Sequence, residues 1–164
     1  MEYFKKVLSI GADDILLEIW DTAGQERYRS LIKFFYQNAR GALLVFDLCD
    51  KDTFKNLEFW LKSIKTNSDK DLVIFVIGNK CDKIEQRQID DEEIKGFCEG
   101  NGLMYFETSA KENIRVKEVF YELARKIQEK SEKNRFCDNS FQNHSLSSDV
   151  LEFKEEKGCT VCQC

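Results

Sequence analysis

At 164 residues, the chain is sized for one domain able to bury a reasonable core. Apolar residues make up 42% and charged residues 34%, ordinary values for a soluble globular protein. A net charge of −5 and a pI near 5.1 argue against nucleic acid as the partner. No run approaches the ~20 apolar residues of a membrane span, and Met1-Glu2-Tyr3-Phe4-Lys5-Lys6 has none of the apolar length of a signal peptide.

In chain order, Phe4 to Ser9 and Ile15 to Trp20 read as strands joined by a turn through Gly11-Ala12-Asp13-Asp14. In the second strand Ile15, Leu17 and Ile19 share one face, and Leu16, Glu18 and Trp20 the other. Ala42 to Asp47 and Leu72 to Gly78 are continuous apolar runs, the pattern of strands buried on both faces of a parallel sheet. Met104 to Glu107 is a shorter example. Between them, Phe54, Leu57, Leu61 and Ile64, with Trp60 beside them, predict a helix. Ile94 and Phe97 predict another over Asp90 to Glu99. Val116, Val119, Phe120, Leu123 and Ile127 predict a third, with Lys126 and Lys130 near its negative end. The alternation argues α/β with a mostly parallel sheet. From Ser131 the composition turns polar and loses its period, so 1–130 reads as the folded domain and 131–164 as a flexible tail.

Three short runs carry chemistry. Trp20-Asp21-Thr22-Ala23-Gly24-Gln25-Glu26 follows an apolar strand. Asp21 at that strand's carboxyl end can hold Mg²⁺ through water. Gly24 lets the backbone offer an N–H to a terminal phosphate, and Gln25 can both donate to and accept from an attacking water. Asn79-Lys80-Cys81-Asp82 follows the next buried strand. A carboxylate at Asp82 can accept from the N1–H and 2-amino group of guanine, whereas adenine would leave it unpaired at a cost of about 1–3 kcal/mol. The stem of Lys80 can lie against the base and Asn79 can tie the loop together. Glu107-Thr108-Ser109-Ala110-Lys111 follows the short strand, and the Ala110 N–H could meet the guanine 6-oxo group. Each run alone also reads as an ordinary turn; their order and context favour the chemical reading.

Together these residues resemble the Ras superfamily, and the Rab branch most closely, from about Tyr3 to Lys130. Glu26-Arg27-Tyr28-Arg29 and Arg40-Gly41-Ala42-Leu43-Leu44-Val45-Phe46-Asp47 add to the resemblance. It implies a three-layer P-loop NTPase-like fold, GTP and GDP as ligands with Mg²⁺, and GTP hydrolysis stimulated by a partner's arginine. By the resemblance, Asp21 serves the magnesium, Gly24 the γ-phosphate and Gln25 the hydrolytic water. Asn79, Lys80, Asp82, Ser109, Ala110 and Lys111 serve the guanine, and Ala23 to about Phe35 forms the second switch that recognises effectors. It also implies a monomeric regulator of vesicle-mediated transport on the cytosolic face of endomembranes. Its partners would be Rab-type effectors, exchange and activating proteins, and the prenylation machinery.

Cys49, Cys81 and Cys98 suit small buried hydrophobes in a reducing compartment rather than a disulfide framework. Val161-Cys162-Gln163-Cys164 resembles the doubly geranylgeranylated Rab end, with Cys162 and Cys164 as the lipidated residues. Val161 excludes a C-a-a-X box. Two lipids anchor stably where one does so only marginally, and no basic patch assists them. The rival reading of Cys159, Cys162 and Cys164 is a metal site. His144 reads as a solvated tail residue.

The motif Gly-x-x-x-x-Gly-Lys-Ser/Thr is nowhere in the sequence. In the family, the first strand, the phosphate-binding loop, the first helix and the first switch precede the region that matches here. The expectation is therefore a fold lacking the first strand and first helix, with the strands ending at Trp20 and Asp47 exposing unpaired ladder edges, so that the chain folds poorly or rearranges. Loss of about four phosphate hydrogen bonds would remove ~6–12 kcal/mol of binding. The alternative to a GTPase is a nucleotide-deficient interaction module.

Overall fold

The computed structural model describes residues 2–22, 39–68, 71–139 and 159–163. β1 (Glu2–Ile10) and β2 (Asp13–Thr22) form an antiparallel hairpin with Ile10 opposite Asp13. Its two-residue loop places Gly11 at φ +63°, a conformation that favours glycine. β3 (Gly41–Asp47), β4 (Val73–Asn79) and β5 (Met104–Glu107) follow the expected apolar runs and pair in parallel.

The helices differ slightly from the sequence reading. The first predicted helix is two: α1 (Lys51–Lys55) and α2 (Leu57–Asn67), broken at Asn56. Asp50 caps α1 by accepting from the Asp52 N–H at 3.0 Å. α3 (Asp91–Asn101) is capped by Asp90, which accepts from the Glu93 N–H at 2.7 Å, and it stops at Gly102 in the left-handed region. α4 (Val116–Asn139) continues well past Ser131, where the tail was expected to begin.

Alternation along the strands builds two cores. Ala42, Leu44 and Phe46 of β3 and Val76 of β4 face α2 and α3, burying Leu57, Trp60, Leu61, Ile64, Ile94 and Cys98. Leu43, Phe75 and Ile77 face the other way, joined by Leu17 and Ile10, and pack on Val119, Leu123 and Ala124 of α4. The three-layer architecture expected from the sequence follows, with helices on both faces of one sheet.

The sheet order is β1-β2-β6-β3-β4-β5. β6 is Cys159–Gln163, taken from the stretch read as tail. It lies parallel to both neighbours, with Thr22 opposite Cys162 on one side and Leu44 opposite Cys162 on the other. The two edges expected to be bare are therefore paired, and the rearrangement has a definite form. Its physical cause is the cost of leaving two buried ladders without partners.

Candidate functional site

The carboxyl edge of the sheet collects polar residues because every parallel strand ends there in the same direction. Asp21 lies one residue before the end of β2, half-buried. Asp47 and Asn79 end β3 and β4 and are paired in register, and Glu107 ends β5.

Two loops meet above β4 and β5. Asn79 Oδ1 accepts from the Ala110 N–H at 3.1 Å and from the Thr108 hydroxyl at 3.5 Å. The Cys81 N–H donates to the Thr108 carbonyl at 3.0 Å. Lys80 sits at φ +65°, unusual for a residue with a side chain, and its carbonyl accepts from the Lys83 N–H at 3.0 Å. This reversal turns Asp82 towards Ser109. Ser109 is fully buried and exchanges two backbone hydrogen bonds with Ile114, while its hydroxyl accepts from the Glu112 N–H at 3.0 Å.

Asp82 Oδ1 is buried and has no hydrogen-bond partner among the described residues. The Ser109 hydroxyl holds the Asp82 carboxyl below the usual aspartate range, with Lys111 and Lys83 adding to the effect against some burial. An ionised, orphaned acceptor at a loop junction fits a ligand that presents adjacent N–H donors, and guanine does. Asn79, Lys80, Asp82, Ser109 and Ala110 are therefore gathered at one place, with Lys111 at its rim, 77% exposed and paired to Glu112.

One detail departs from the sequence reading: the Ala110 N–H assigned to the guanine 6-oxo group is donated to Asn79. Lys80 Nζ pairs with Asp47 Oδ2 at 2.5 Å, a contact the sequence reading did not include. Burial favours protonation of Asp47, but Lys80 and the Cys49 N–H outweigh it and keep the carboxyl below its usual value. Gly24, Gln25 and the second-switch segment lie outside the described residues, as does Cys164. Cys162 lies within β6.

Supporting residues escaped the sequence reading. Arg87 spans Asp91 and Glu107, the latter at 2.8 Å, and the Tyr105 hydroxyl donates to Glu107 at 2.8 Å. Nothing local marks Arg87, which follows a 3₁₀ turn at Ile84–Gln86. Asp47 had a signal: like Asp21, it is an acid closing an apolar strand. Burial would raise the Glu107 carboxyl, yet Arg87 and Tyr105 hold it below the usual value of 4.5. A depressed carboxylate stabilises the fold above its unfolded pKa and loses that contribution as pH falls through the folded value. Arg87→Ala leaves the burial and removes the cation, so the acid limb of unfolding is expected to move upward by roughly half a pH unit. Thermal melts between about pH 3 and pH 7 check this; an unchanged acid limb would assign Glu107 no such role.

Gly78 precedes Asn79 and has no room for a side chain. A Cβ there would stand 2.6 Å from the Tyr105 hydroxyl and 3.0 Å from Leu48 Cδ2. The Tyr105 ring is anchored by Glu107 and yields little. Gly78→Ala is expected to destabilise by about 1–3 kcal/mol and to displace Asn79, measurable as a lower denaturation midpoint.

An open sheet covered by helices on both faces, with a polar loop junction at its carboxyl edge, has the architecture of α/β proteins that carry their ligand sites at that edge. The chain belongs to the Ras family: the family model matches residues 1–129. It is 42% identical over 120 residues to "Ras-related protein Rab11A" of Lotus japonicus, a match covering 73% of this chain and 53% of that protein. It is 39% identical over 127 residues to "Ras-related protein YPTC6" of Chlamydomonas reinhardtii, covering 77% of this chain and 59% of that protein. These relatives make it a Rab-like member of the family, and the chain spans little more than half the length of either.

Proposed function

We propose that the chain is the base-recognising part of a Rab-like small GTPase, binding guanine nucleotide and serving vesicle-mediated transport. The observation that carries this reading is the orphaned Asp82 Oδ1 beside Ser109, at the junction of the Asn79 and Ala110 loops. Asp82 would accept the N1–H and 2-amino donors, and Asn79 would hold the two loops in register. A 6-oxo group would compete with Asn79 for the Ala110 N–H. Asp21 is the one residue of the assigned magnesium and phosphate group that falls among the described residues, and it would hold Mg²⁺ through water. In the GTPase reading, Mg²⁺ supplies charge neutralisation on the phosphates and Gln25 orients the water. Exchange and activating proteins, effectors, and lipid anchoring at Cys162 and Cys164 to a cytosolic membrane face complete it, the last requiring that β6 leave the sheet, because Cys162 there pairs with Thr22 and Leu44. Among the described residues no helix is long and apolar enough to cross a membrane, so attachment would come from lipid.

The direct test is saturation-transfer NMR of the chain with GDP and, separately, ADP. Guanine is expected to bind at least about tenfold tighter, the discrimination that one unsatisfied buried partner imposes. Equal binding of both bases would remove the reading. A second reading, a nucleotide-independent interaction module, is favoured by β6, which brings the chain's end between the strands of Asp21 and Asp47. Binding of neither base would support it.

A further inference from the structure

Lys80 is restrained at both ends of its side chain. Its backbone sits at φ +65°, an unfavourable conformation for a residue with a Cβ, and the Lys83 N–H closes the turn by donating to its carbonyl at 3.0 Å. At the far end, Nζ pairs with Asp47 Oδ2 at 2.5 Å. Between these two points lies a flexible four-carbon stem, which an unpaired lysine leaves free to sample many rotamers.

Asp47 is itself held in place. Its Oδ1 accepts from the Cys49 N–H at 2.8 Å, and its own N–H donates to the Thr53 hydroxyl at 2.9 Å. It ends β3 directly opposite Asn79, the residue before Lys80, in the β3–β4 register. The Asp47 side chain is 20% exposed and that of Lys80 47%, so the carboxylate is mostly covered while half of the lysine stays open. The loop after β4 is thus tied on both sides: Asn79 accepts from the Ala110 N–H at 3.1 Å beyond β5, and Lys80 reaches back to β3. A side chain that has to be ordered when a ligand lands on it weakens binding, and one ordered beforehand does not. An ammonium engaged at Asp47 is also kept off Asp82, whose Oδ1 stays without a partner among the described residues.

We infer that Asp47 is a positioning residue for base recognition: by holding Lys80 Nζ, it sets the stem of Lys80 along the base site before a nucleotide arrives. Asp47 acts through Lys80 rather than on the base. The inference rests on the guanine reading of Asp82 and adds to it a residue outside the three motif runs, acting from the neighbouring strand.

The test is a double-mutant cycle on GDP affinity, measured on the full chain, Asp47→Asn, Lys80→Met and the two combined. The asparagine still offers an oxygen to the Cys49 N–H but no charge to Lys80. Asp47→Asn alone is expected to weaken GDP binding about three- to tenfold, the effect of leaving one long side chain to be ordered on binding. With Lys80→Met already in place, the same substitution should change GDP affinity by less than about twofold. An equal loss in both backgrounds, or no loss in either, overturns the inference. If the unsubstituted chain binds GDP no tighter than ADP, the guanine reading falls and this inference with it. A preference for GDP combined with an additive cycle removes only the role of Asp47.

Should a variant fail to fold, carbon-13 relaxation of the lysine side chains in the unsubstituted, nucleotide-free chain decides. Lys80 is expected to be clearly more ordered than Lys83, which makes no ion pair among the described residues. Equal order at the two lysines overturns the inference.

Discussion

Asp82→Ala is expected to abolish the chain's preference for guanine. Two hydrogen bonds to a charged acceptor are lost, each worth about 1.5–3 kcal/mol, so guanine affinity should fall ~10²–10⁴-fold. Adenine, which never satisfied the carboxylate, should bind the variant no more weakly than before. The carboxylate's environment is what makes the effect large: Oδ1 is buried with no partner among the described residues, and the Ser109 hydroxyl favours the ionised form. Oδ1 is therefore ready to accept without first giving up another bond. Competition titrations with GDP and ADP on both chains measure the change. A parallel loss for both bases would mean that Asp82 only supports the loop. Asp82→Asn keeps the shape and separates the two cases, because it removes the charge while leaving the loop filled.

The second large effect is structural. Phe46→Ala is expected to destabilise by about 3–5 kcal/mol, out of perhaps ~5–15 for a domain. Phe46 is 1% exposed, and its ring lies 5.1 Å from Phe54 and 6.3 Å from Tyr105. It joins β3 to α1 and β5, so the void cannot close by moving one element. The melting temperature should fall by roughly 6–20 °C. Ile84→Ala, at a side chain 79% exposed, should stay within about 0.5 kcal/mol. Comparable losses at both positions would contradict the core described above. Because Phe46 precedes Asp47, the partner of Lys80, guanine binding should weaken with the fold.

Much of this was legible locally. The runs at β3 and β4 are apolar because both faces of those strands are covered, and that leaves a mark in sequence without any partner being known. Leu57, Trp60, Leu61 and Ile64 mark one helical face in the same way, although the break at Asn56 left no trace. The motifs placed Asn79, Asp82, Ser109 and Ala110 correctly as neighbours, because each follows a parallel strand at one sheet edge. The Asn79–Ala110 bond and the Asp47–Lys80 pair were not legible. They depend on side-chain reach between loops far apart in the chain.

β6 is the clearest division. Cys159 to Gln163 carries no period, lies in a polar stretch, and reads locally as part of a lipidated chain end rather than as a strand. The sequence alone determined the strand-and-helix alternation and the family, and it supplied the residues proposed to read a guanine. It also implied two ladders in want of a partner. Only the tertiary structure decided which segment meets that want, because strand pairing is non-local. A five-residue strand gains its hydrogen bonds from walls built by residues more than a hundred positions away, and those walls exist only once the two cores have packed.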